Sequence, residues 1–223
     1  MNSLRFFGLL AVLYSVSMLA GCAGTLGLRP ASLDDATLQD SGVIFATMSR
    51  IEGLPGYSSY YYDLRSVEDG SIHRMRVWVD GFSPSGKADV VDGQISRHLL
   101  ASTLPPGRYE FFQFLAFATN GYVEQTETFT FRNPREFVVE AGKAYYLTAG
   151  AVVPRIGKNW LGFEVVERLL FVEFQDMQKD VSIAKSIYPN LPPVSAVEPL
   201  PEKQFDQDAI IELARTLNPG REI

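Results

Sequence analysis

Residues 59–80 read SYYYDLRSVEDGSIHRMRVWVD. In the second half Met75, Val77 and Val79 alternate with Arg74, Arg76 and Trp78. A period of two marks a strand with one buried and one wet face. Glu68-Asp69-Gly70-Ser71 interrupts the pattern with turn residues, so the stretch predicts a β-hairpin closed around Asp69-Gly70.

The same signals extend on both sides. GVIFATMS (42–49) and ISRHLLAS (95–102) read as strands. The run 103–133 reads as a turn, a long strand, a turn at Asn120-Gly121 and a return strand. REFVVEAGKAYYLTAGAVV (135–153) gives two more strands around Ala141-Gly142, and NWLGFEVVERLLFVEF (159–174) another. Seven to nine strands with frequent turns predict a mainly β protein, an antiparallel β-sandwich. YEFFQFLAF (109–117) is apolar on both faces: Tyr109, Phe111, Leu115 and Phe117 on one, Phe112, Phe114 and Ala116 on the other. Its outer face therefore needs a helix or a partner to cover it.

Two C-terminal helices are expected. Phe174, Met177, Val181, Ala184 and Tyr188 recur at helical spacing before Pro189, and offer that cover. Residues 189–204 hold five prolines and read as a stiff linker. In 205–223 Asp206 can cap a helix striped by Ile210, Leu213, Ala214 and Leu217, which either docks on the sandwich or grips a partner.

The N-terminus has a different character. Arg5 is followed by an uncharged apolar run, Phe6 to Ala20, too short for a comfortable membrane span. A charged start, a short apolar stretch and a small-residue exit describe a secretory signal peptide. Leu19-Ala20-Gly21-Cys22 resembles the lipobox of bacterial lipoproteins. The resemblance implies lipidation, including palmitate, on the Cys22 thiol and cleavage between Gly21 and Cys22. It implies membrane attachment through an N-terminal lipid, and two or more acyl chains hold stably. Ala23 in place of Asp leans towards the outer membrane if the host is Gram-negative. The expected organisation is a signal peptide (1–21), a lipidated tether (22–40), a sandwich domain ending in a helix (41–188), the linker (189–204) and the last helix with its tail (205–223).

Leu104-Pro-Pro-Gly-Arg-Tyr109, followed by Phe137-x-Val-x-Ala-Gly-Lys-x-Tyr-Tyr-Leu147, resembles bacterial lipoproteins with a transthyretin-like (prealbumin) sandwich. The resemblance covers roughly residues 95–150 and implies fold, not activity. The residues agree with it: Pro106-Gly107 suits a tight turn, Tyr109 points inward at a strand start, and Gly142 supplies a positive φ for a hairpin.

Composition excludes several functions. The chain has a net charge of −6, and without residues 1–21, which carry only Arg5, it reaches −7. Nucleic acid needs a basic footprint that this chain lacks. With Cys22 the only cysteine, no disulfide forms within the chain. His73 and His98, the only histidines, cannot make a usual zinc set. Gly81 to Gly86 (GFSPSG) imitates a nucleophile elbow but places the second glycine one residue late. Asp89 and Asp92 are too sparse for a calcium loop.

Aromatic residues are the binding candidates. Among Tyr57, Tyr60, Tyr61 and Tyr62, strand alternation puts Tyr60 and Tyr62 on one face and Tyr61 on the other. Exposed tyrosines suit protein or sugar contacts; the alternative is that all of them pack in edge and core. Arg155, Lys158 and Trp160 form a second candidate, in the loop PRIGKNW. The expected function is a lipid-anchored cell-envelope module that binds or scaffolds an envelope protein or glycan, without catalysis, cofactor or metal. The alternative is a small envelope hydrolase using carboxylates in a sandwich cleft.

Overall fold

A computed structural model describes residues 29–79, 87–119, 124–174, 176–198 and 206–223. The leader with Gly21 and Cys22, the Gly81–Gly86 run and the Asn120-Gly121 turn lie outside the described residues. The described residues are mainly β, 54% strand and 16% helix, in two sheets, one of which curls into a half-barrel.

Among the described residues, ten strands and three helices follow in order. They are α1 (Asp35–Asp40), β1 (Gly42–Ile51), β2 (Ser59–Ser66), β3 (Ile72–Trp78), β4 (Val90–Asp92), β5 (Ile95–Leu104), β6 (Gly107–Thr119), β7 (Glu124–Val139), β8 (Ala144–Lys158), β9 (Glu164–Phe174), α2 (Met177–Ile187), β10 (Val194–Ala196) and α3 (Gln207–Leu217). One sheet runs β3-β2-β6-β7; the other runs β10-β8-β1-β5-β4, with β9 also on β8. The β2–β3 hairpin forms as its alternation requires, with Gly70 at φ +73° in the turn.

The all-antiparallel expectation is corrected in the larger sheet, where β8 pairs parallel with both β1 and β10. The cause lies in the two connections read as hairpin turns. Pro105-Pro106 and Ala141-Gly142 each carry the chain from one sheet to the other. Tyr109 fixes the first corner: its buried ring enters the core and its Oη donates to the Pro105 carbonyl at 3.0 Å. Arriving from the other sheet, β8 enters beside the start of β1, where the Val43 N–H donates to Lys143 O at 2.9 Å. The segments read as two strands either side of residue 134 are one edge strand, β7, whose pairing with β6 is irregular between Phe111 and Gln113.

That irregularity changes the faces of β6. Tyr109, Phe111, Phe114 and Ala116 point into the core, while Phe112, Leu115 and Phe117 are half-exposed outside. Strict alternation assigned Phe114, Ala116, Leu115 and Phe117 to the opposite sides. One extra residue in a strand inverts the parity beyond it. Between the sheets Phe114 and Phe171 stack at 4.1 Å, with Tyr62 edge-on to both.

The helices cover the larger sheet, not β6. On α2, Ile183 and Ala184 pack with Tyr188 over Phe45, Leu99 and Tyr146. On α3, Ile210 and Ala214 pack over Ile51, Ala151 and Val153. Asn218 bonds the end of α3 to β8, donating to Pro154 O at 2.9 Å and accepting from Ile156 N at 2.8 Å. Of the two expectations for this helix, the structure has the docked one. Residues 189–198 are also seated rather than a free linker: Leu191 and Val197 are buried and β10 pairs with β8. Apolar residues between the prolines find the sheet edge, where missing N–H donors matter least.

A buried charge cluster pins α2. Asp180, fully buried, accepts from Thr47 Oγ1 (2.8 Å), Tyr146 Oη (2.9 Å) and Arg97 (3.0 Å). The Arg97 guanidinium also meets Asp176 at 2.6 Å and lies over the Phe174 ring. Two carboxylates share one cation, and burial pushes Asp180 up to about 6.

Candidate functional site

No described helix packs on the outer face of β3-β2-β6-β7, since both long ones lie on the larger sheet. Outward positions on β3 are Arg74, Arg76 and Trp78; on β2 they are Tyr61, Asp63 and Arg65. The Arg76 guanidinium lies 4.4 Å from the Trp78 ring and 5.3 Å from the Tyr61 ring. Arg74 lies 4.9 Å from Tyr61 and holds buried Asp63 through two bonds of 2.6 Å. Arg65 covers Phe112 and pairs with Glu110. The face is thus a ladder of stacked cations and rings. Beside it Tyr61, Arg74, Leu115, Phe117 and Thr126 line a shallow depression of about 270 Å³. Arg76 donates weakly to Ser59 (3.3 Å), while its Nε is buried with no partner.

Around the open edge of β3 the same residues turn into a lateral cleft of about 340 Å³. Arg29, Arg76, Trp78, Lys87, Asp89 and His98 line it. Arg29 clasps Asp89 with bonds of 2.7 and 2.8 Å. Burial, then the nearby Arg50, pushes His98 down to about 4, so its ring is neutral at pH 7.

The sequence candidates separate. Tyr61 reaches the open face. Tyr57, Tyr60 and Tyr62 are corrected to core residues, none more than 2% exposed. Their register on β2 sends Tyr60 and Tyr62 between the sheets, and Tyr57 follows at the strand's entry. Arg155 and Lys158 are corrected from loop to strand, since β8 runs to Lys158; Arg155 pairs with Glu167 at 3.3 Å. Trp160 stands free on the β8–β9 turn. His73 packs edge-on to Tyr109, as its place on the Met75 face implies. Sequence reading missed Arg74, Arg76 and Trp78 as surface partners of Tyr61. Their alternation was visible; their stacking across strands was not.

Among the described residues no cluster of His, Cys, Asp or Glu is arranged to hold a metal ion, and no helix is long and apolar enough to cross a membrane. The carboxylate that burial raises, Asp180, sits on the inward side of α2, sealed against the larger sheet.

No family model matches the chain, and no curated protein matches it. A leucine-rich repeat protein from Bacteroides thetaiotaomicron is similar over 51% of this chain and 14% of that chain, at 15% identity and a TM-score of 0.30. A likeness that loose carries no argument about fold or activity.

Proposed function

We propose that this protein is a lipid-anchored cell-envelope module that binds an envelope partner, protein or glycan, through the outer face of β3-β2-β6-β7. The observation that carries the reading is the uncovered ladder Trp78-Arg76-Tyr61-Arg74 beside Leu115 and Phe117. Tryptophan, tyrosine and arginine are the residues that dominate binding energy at interfaces. The stacked guanidinium and rings are held in place across β2 and β3, so little side-chain freedom is lost when a partner docks on them. The lipid anchor rests on the lipobox resemblance at Cys22. The body is read as a transthyretin-like sandwich, supported by the tyrosine-fixed corner at Pro105–Tyr109.

One experiment with two arms tests this. In cells, Cys22→Ala blocks palmitate labelling and leaves the leader uncleaved; continued labelling overturns the anchor. A photo-crosslinker at Leu115 captures a discrete partner that a crosslinker at Lys185 on α2 does not. Tyr61→Ala/Arg76→Ala abolishes that capture, and protease or muramidase digestion separates protein from glycan. Equal capture from both positions overturns the face.

A further inference from the structure

The β8–β9 turn exposes three large apolar side chains within four residues: Trp160 at 90%, Phe163 at 66% and Leu161 at 57%. The other large exposed hydrophobics among the described residues, Val67, Ile72, Val91 and Val138, are valine and isoleucine, none beside another in sequence. Isolated exposed apolar residues need no explanation, whereas a contiguous group does.

The turn is firmly built. Asn159 Oδ1 accepts from the N–H groups of Leu161 and Phe163, each at 3.0 Å. The Asn159 N–H donates to Phe163 O at 2.9 Å, and the Gly162 N–H donates to Asn159 O at 2.9 Å. Gly162 takes φ +83°, which closes the turn and leaves its neighbours facing outward. The three side chains are therefore held out in water by a braced backbone. The nearby carboxylates are engaged: Glu164 by Arg221 and Glu167 by Arg155. Lys158 stands at the base of the turn.

We infer that this turn is a membrane-dipping wedge, with Trp160, Leu161 and Phe163 seated at the interface of the bilayer that anchors the chain. Tryptophan is favoured at membrane–water interfaces, and lysine can bury its stem while its ammonium reaches headgroups. The path of the N-terminal segment favours lipid over a protein pocket. From the start of β1 the chain runs backwards through α1 to Arg29, whose partner Asp89 bonds Arg97 O, level with Ser49 and Ala151. The segment thus heads towards the end of the sheet where the turn projects. Six residues lie between Cys22 and Arg29, so the seven Cα steps reach at most about 25 Å. From Ala151 to Lys158 β8 rises about 23 Å. A lipid on Cys22 and the wedge can therefore meet one membrane plane. Three side chains grip weakly alone, but a tether makes the encounter intramolecular and raises its effective concentration. The inference rests on the lipid-anchored reading for the tether.

The test uses the chain from residue 22 onward, the mature chain that the lipobox resemblance implies. Its single thiol, Cys22, is coupled to a maleimide lipid in vesicles of phosphatidylethanolamine and phosphatidylglycerol carrying brominated acyl chains. A Trp78→Phe background leaves Trp160 as the reporter. The expected result is a blue-shifted, bromine-quenched Trp160 emission. Leu161→Ser/Phe163→Ser should remove the quenching and weaken vesicle binding of the uncoupled chain by roughly tenfold or more. Both side chains are more than half exposed and belong to none of the core clusters, so the variant should fold. Emission that stays that of hydrated indole, or quenching unchanged in the double variant, overturns the wedge. The coupling is chemical, so this outcome is independent of whether cells lipidate Cys22.

Discussion

Gly150 shows how tightly the aromatic core is packed. A Cβ placed there would stand 1.9 Å from Tyr62 Oη and 2.7 Å from the Phe171 ring. Tyr62 cannot easily retreat, because it also packs tilted against Phe111 and edge-on to Phe114, and its Oη bonds Thr47 O at 3.2 Å. Gly150→Ala should therefore cost about 1–3 kcal/mol, read as a lower midpoint in urea denaturation. Adding Tyr62→Phe removes the nearest obstacle and should recover part of the loss. A neutral Gly150→Ala would mean that the sheets are further apart than described. The tyrosines make a related point. Tyr61 differs from Tyr60 and Tyr62 only in the side of β2 on which it emerges.

At the scale of elements, α3 is part of the body. Ile210 and Ala214 cover Ile51, Ala151 and Val153, and Asn218 ties the helix end to the β8 backbone. Deleting residues 206–223 should expose that strip and lower the melting temperature by several degrees or more. A melting transition left intact would show that the helix serves a partner instead. The helix faces were only partly legible in sequence. Ala184 of the expected stripe is fully buried, yet Asp180, outside that stripe, is buried as fully while Met177 and Val181 are only half-buried. Periodicity counts hydrophobicity, and a carboxylate that finds Arg97, Thr47 and Tyr146 on the facing strands is invisible to it.

Over the whole molecule, two buried groups set opposing pH dependences. Asp180, raised to about 6 from 3.8, keeps a proton in the folded state that the unfolded chain releases. Its contribution is full below pH 3.8 and is lost as pH rises through 6. His98, lowered to about 4 from 6.5, takes up its proton in the unfolded chain first. Its contribution is full above pH 6.5 and is lost as pH falls through 4. Each spans up to about 3 kcal/mol. Arg97 and Asp176 face the carboxylate; Arg50, Arg29, Asp89 and Glu52 surround the imidazole. Urea midpoints measured between pH 4 and 6 should change little in the native protein. Asp180→Asn should unmask stability that rises with pH, and His98→Gln stability that falls. Variants that both keep the native profile would sink this account.

Local periodicity was enough to place the β2–β3 hairpin, most strand positions, the two C-terminal helices and the separation of Tyr61 from Tyr60 and Tyr62. These features depend on neighbours in the chain, whose side-chain periods are fixed by backbone geometry. The parity of β6 beyond Phe111, the parallel entry of β8 and the choice of which sheet the helices cover were settled only by tertiary structure. Each depends on an event between distant segments: an irregular pairing with β7, a corner between sheets, and Asp180 meeting Arg97 across 83 residues. The candidate face divides in the same way. Its residue types could be read from Tyr61, Arg74, Arg76 and Trp78, but its openness follows from the helices packing elsewhere. No local pattern carries that information, because a surface is open only when the rest of the chain has found a better place to bury itself.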